Sequence, residues 1–99
     1  MTQKIPTKIK VGAMTYTVEI VPDLYAKRSL YGEVTYGNQS IIIAEDISPA
    51  RQFNAFMHEL THAMLFEMGD WERSKEEQFV RSFSNMLTQV AVDNGWSLA

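Results

Sequence analysis

His58-Glu59-Leu60-Thr61-His62 stands inside a long apolar run, and its reading decides the rest of the chain. Residues four apart on an α-helix lie one turn above each other, so both imidazoles project from one face and can bind one tetrahedral Zn²⁺. Glu59 lies one position round from that face. There its carboxylate can reach a metal-bound water and take its proton as a general base. The chain's 2 histidines both fall in this pattern. The plain alternative is a helix carrying two satisfied polar residues.

Working outward, Ser48 before Pro49 is a helix-start signal: a hydroxyl for an orphan N–H, and a proline whose missing donor costs nothing at the first position. The predicted helix runs from about Pro49 to Met68, and Gly69 ends it. Phe53, Phe56, Met57, Leu60 and Met64 line one face, while Ala55, Leu65 and Phe66 flank the histidines on the other. A helix apolar nearly all round is buried on both sides. We therefore expect a sheet against one face and a second helix against the histidine side.

The first half reads as strands. Lys8 to Val11 and Met14 to Val21 are joined at Gly12-Ala13, and Tyr16, Val18 and Ile20 put apolar groups on one face. Asp23 to Leu30 is irregular and polar. Tyr31 to Tyr36 and Ser40 to Ala44 then form a second hairpin around Gly37-Asn38-Gln39. After the motif helix, Asp70 to Arg73 turn the chain into a second helix from about Ser74 to Asp93, with Phe79, Phe83, Met86, Leu87 and Val90 expected in the core. The expectation is an α+β fold with a small antiparallel sheet of about four strands.

A catalytic zinc site needs a third protein ligand. With 0 cysteines and no further histidine, that ligand must be Asp or Glu. The second helix offers Glu76 and Glu77. Periodicity puts Glu76 near the centre of the Phe79, Phe83 and Leu87 face, where a carboxylate is costly unless paired or bound. Glu77 sits at the edge, and Ser74 to Glu77 has the form of a capping box in which Glu77 reaches back to Ser74. On the residues alone both stay open.

HELTH followed by a glutamate on the next helix resembles the gluzincin arrangement, and specifically the small ImmA/IrrE-type metallopeptidases of bacteria, mobile elements and phages. The resemblance covers roughly Tyr31 to Asn94. In that family the ligand glutamate stands six residues before a phenylalanine and seven before a small residue. Glu77, Phe83 and Ser84 have that spacing, so the resemblance implies Glu77. EEQFVRSFSNMLTQVAVDN also resembles the ending of short phage and prophage members. Two departures stand out. Arg81 occupies the place where the family often has Asp or Asn as an outer partner of a zinc-bound histidine, which leaves Ser84 or Asn85 for that role. Leu65 and Met68 stand where metzincins place Gly and a third His, which excludes that clan.

Length points to a single domain over residues 1–99, and the resemblance implies that it is zincin-like and acts as a zinc-dependent endopeptidase on a protein or peptide. Its ligands would be His58, His62 and Glu77, with Glu59 as general base. Tyr31, Tyr36 and Arg51 are candidate oxyanion stabilisers, each tyrosine having a simpler reading as strand packing. The alternative is a phage- or mobile-element-encoded zincin-fold protein that occludes a host factor and holds a structural zinc.

Composition narrows the field. The chain has 99 residues, 45% apolar and 21% charged, as a globular domain should. A net charge of -3 with scattered Lys and Arg argues against nucleic acid as partner. The lack of cysteine fits a cytoplasmic setting. The first ten residues hold no apolar leader segment, and no stretch approaches 18 apolar residues, so neither export nor a membrane partner is expected.

Overall fold

The computed structural model describes residues 5–96. The reading of the N-terminal leader rests in part on residues 1–4, which lie outside that range. Four strands are formed: β1 (Lys8–Val11), β2 (Met14–Val21), β3 (Gly32–Thr35) and β4 (Ser40–Ala44). Four helices accompany them: α1 (Leu24–Arg28), α2 (Pro49–Glu67), α3 (Trp71–Ser74) and α4 (Glu77–Asp93).

Both expected hairpins form, with Gly12 and Gln39 in the left-handed region at their turns. The sheet is nevertheless mixed, not antiparallel. Its order is β1-β2-β4-β3, and the central pair β2·β4 is parallel, Val18 facing Ile41 and Ile20 facing Ile43. Parallel neighbours need a crossover. Here α1 and β3 supply it and leave β3 on the edge. The stretch expected to be irregular therefore contains a helix, α1, bounded by left-handed Asp23 and Ser29. The Asp46 carboxylate accepts the Tyr25 and Ala26 amides at its start.

The Ser48 hydroxyl caps α2 by accepting the Arg51 amide, with Pro49 at the first position. Phe53, Phe56, Met57 and Leu60 of this helix meet Tyr16, Val18, Ile41 and Ile43 of the sheet to form the core. Ile20 is 39% exposed, so the apolar face of β2 is buried only over Tyr16 and Val18. The second helix begins later than expected. Asp70 caps the short α3 by accepting the Arg73 amide, and α4 starts at Glu77. It packs on α2 through Val80, Ser84, Leu87 and Ala91, so Phe83 and Met86, expected in the core, lie outside at 43% and 63% exposure. A helix covered by one neighbour buries a narrow stripe, and its second apolar row is left in solvent. Among the described residues no helix is long and apolar enough to cross a membrane.

Candidate metal centre

The turn between α2 and α4 folds the chain back so that Glu77 meets both histidines. Its Oε2 lies 3.1 Å from His58 Nε2 and its Oε1 2.8 Å from His62 Nε2. The three ligand atoms fall within 4.8 Å of one another. Tetrahedral bonds of about 2.0–2.1 Å set ligand atoms about 3.4 Å apart, so a small opening of this group admits an ion. Glu76 is the cap residue of α4 and is not in the group.

The capping box does not form. Ser74 ends α3, its hydroxyl donates to the Trp71 carbonyl, and no side chain caps α4. Glu77 is thereby free to turn toward α2. The Ser74 backbone has another role: its carbonyl lies 2.6 Å from His62 Nδ1. With Nδ1–H donating there, Nε2 is turned toward Glu77, and either a proton or a metal ion between nitrogen and carboxylate satisfies that contact. The sequence offers Ser84 or Asn85 for this outer role. Neither contacts a histidine, since the Ser84 hydroxyl donates to the Arg81 carbonyl and Asn85 accepts from Asn54. A backbone carbonyl leaves no mark in a sequence, which is why this partner was missed.

Glu59 is 8% exposed, and burial, with the charges of Glu77 and Glu33, pushes its carboxyl up to about 8, against which the Val34 amide works. Burial lowers His58, and the nearby His62 and Arg81 charges add to that, while Glu77 opposes it. Burial and the Glu59 charge raise the Tyr36 phenol, with Ser74 opposing.

These groups line a cleft of about 600 Å³ between β3, α2 and α4. All three oxyanion candidates reach it. Tyr36 is stacked flat on Phe66, the centroids 4.1 Å apart, and Arg51 lies 5.3 Å over the Tyr31 ring. The free edge of β3 forms one wall. Because the Tyr31 carbonyl is taken by Ala44, alternation turns the backbone groups of Gly32 and Val34 toward the cleft. Gly32 permits the close approach: a Cβ there would lie 3.0 Å from the Ile42 carbonyl oxygen and 3.3 Å from Glu59 Cγ.

Fold and site together define a small α+β protein with a mixed four-stranded sheet and a His58, His62 and Glu77 group able to hold a metal ion. Comparison with known proteins gave no matching family model, no similar curated protein and no similar solved structure.

Proposed function

We propose that this is a zincin-like, zinc-dependent endopeptidase of the cytoplasm, acting on an extended segment of a protein substrate. The observation that carries the reading is the position of Glu59, buried in the cleft beside the His58, His62 and Glu77 group yet outside it. A site that only held a metal would have no use for a buried carboxylate left free of it.

Two nitrogens and one carboxylate oxygen are a donor set suited to zinc, with a fourth position left open. Zinc bound there would polarise a carbonyl and acidify a water molecule. The chain's own residues supply the rest. Gly32 and the Val34 carbonyl offer main-chain groups with which an extended peptide can pair as an added strand, the Val34 amide being engaged by Glu59. With zinc bound beside it favouring its ionised form, Glu59 would take the proton from the attacking water and return it to the departing amine. The Ser74 carbonyl keeps the His62 ring turned with Nε2 inward.

The test is to incubate the zinc-loaded wild type and Glu59→Gln with a lysate of the source cell and search for new peptide termini by mass spectrometry. Loss of a general base costs about 10²- to 10⁴-fold in rate. Termini made by the wild type and absent with Glu59→Gln are the expected result. One partner captured equally by both proteins, with cleavage by neither, would replace this reading with the occluding protein.

A further inference from the structure

Beyond the metal group, the cleft has an end of distinct chemistry. α2 and α4 pass each other in opposite directions: His62 and His58 meet Glu77, and further along the Asn54 amide donates to Asn85 at 3.0 Å and to Thr88 at 3.3 Å. This order puts Arg81 one turn from Glu77 and Arg51 about one turn beyond Asn54, both lining the cleft on the same side of the metal group.

Neither guanidinium has a carboxylate partner among the described residues. The ion pairs of Arg and Lys there are Arg28 with Glu33 and Arg73 with Asp70. The chain carries 12 acidic against 9 basic residues, so acids are in excess, and two arginines facing one cleft still go unmatched. Glu33, the acid of β3 on the cleft wall, is occupied by both terminal nitrogens of Arg28 at 2.9 and 3.1 Å. Arg51 is also held in place. It lies over the Tyr31 ring, which stacks on Tyr25 with centroids 5.3 Å apart, an arrangement that fixes the plane of the fork and leaves its N–H donors free.

We propose that Arg51 and Arg81 form a carboxylate subsite, so that the peptide accepted by this cleft carries an acidic side chain or a free C-terminus at that end. The proposal rests on the reading of the cleft as a peptide site. Along the helix axes Arg81 lies about 6 Å from Glu77 and Arg51 about 10 Å from His58. At about 3.3 Å per extended residue, the recognised carboxylate falls two to three residues from the bond held at the metal group. Planar forks suit it, since arginine binds carboxylates through paired N–H donors.

The test uses zinc-loaded Glu59→Gln, which binds without cutting, and four pools of degenerate decapeptides. Three are C-terminally amidated and carry Glu, Gln or Lys at a fixed central position; the fourth carries Gln with a free C-terminus. The Glu pool, the free-carboxylate pool or both should bind about 10-fold tighter than the amidated Gln pool, as expected for charge-assisted hydrogen bonds. Which of the two does so separates an internal acid from a chain end. Adding Arg51→Gln and Arg81→Gln together should erase the preference with zinc content unchanged, and Arg81→Glu should move it toward the Lys pool. No preference for a carboxylate, no binding of any pool, or a preference that survives both arginine changes overturns the proposal. Preference for acid in Glu59→Gln without cleavage of anything by the wild type removes the peptidase reading and leaves the subsite. Cleavage by the wild type with no such preference does the opposite.

Discussion

At the scale of single residues, Glu77 and Glu76 differ by one position and by everything the site requires. Glu77 faces both imidazoles, whereas Glu76 is an exposed cap residue of α4. Glu77→Gln should therefore weaken zinc binding by more than the roughly 10- to 100-fold that loss of an outer partner costs, and Glu76→Gln should leave it within about twofold. A competition titration with a zinc indicator reads both. Glu59 offers a prediction of a different kind, for the metal-free protein. Its folded carboxyl sits at about 8, above its ordinary value, so the folded state holds a proton that the unfolded state releases. The sign follows: stability is lost as pH rises from the unfolded value of about 4.3 through the folded one. Glu59→Gln removes that loss. Melts in chelator should show a higher Tm for Glu59→Gln than for wild type at pH 7.5, and a gap that closes near pH 4. An equal gap at both values would mean that the carboxylate's burial costs nothing. Gly32 is the third such position. A methyl group there meets Ile43 Cδ1 at 3.1 Å and Glu59 Cγ at 3.3 Å, so Gly32→Ala must move the strand or Glu59. On the proposed peptidase reading, activity should fall by up to about 10²-fold, the cost of a misplacement near 1 Å, while zinc content holds.

At the scale of elements, α2 bears most of the structure, because one helix supplies a core face to the sheet and a metal face to α4. Phe56 is fully buried against β2 and β4, and Phe56→Ala should cost about 3–5 kcal/mol in a denaturant titration. Ser48→Ala, which removes only the cap, should cost about 1 kcal/mol. What the sequence revealed follows the same division. The cap, the helix and the two hairpins are local, written in Ser48-Pro49, in the apolar period and in the Gly12 and Gly37-Asn38-Gln39 turns. The pairing of β2 with β4 is not local. It joins strands about twenty residues apart with no turn between them to announce it, so an antiparallel sheet is expected where a parallel crossover stands. α1 escaped notice because its carboxylate partner, Asp46, lies beyond β4. The metal group was legible in part. The histidine spacing is a property of one helix, but the glutamate depends on how a turn folds back, and residue pattern alone left two candidates. The Ser74 carbonyl could not be read at all, because every residue has one.

At the scale of the whole molecule, the question is how metal and fold support each other. The core of Tyr16, Val18, Ile41, Ile43, Phe53 and Phe56 contains no ligand, so the sheet and α2 are held by apolar burial that owes nothing to an ion. The hold on α4 is thinner. Its buried face is Val80, Ser84 and Ala91, helped by the Asn54 bridge to Asn85 and Thr88, and its first residue is Glu77 of the group able to hold a metal ion. With 0 cysteines there is no covalent tie between the helices. Zinc would therefore act as the clamp that fastens the start of α4 to α2, stabilising a fold that forms without it. Binding to the folded chain alone adds about 2.7 kcal/mol at a free zinc concentration 100 times Kd. For a domain near 100 residues each kcal/mol moves Tm by about 4–8 °C, so loading should raise Tm by roughly 10–20 °C, and chelator should reverse it. His62→Ala should melt at one temperature with or without zinc. Hydrogen exchange locates the effect: amides in the first turns of α4 should gain protection on loading while those of β2 and β4 stay as they were. Uniform protection across sheet and helices would show instead that the ion governs the whole fold, and a His62→Ala protein that still gained stability from zinc would place the ion elsewhere.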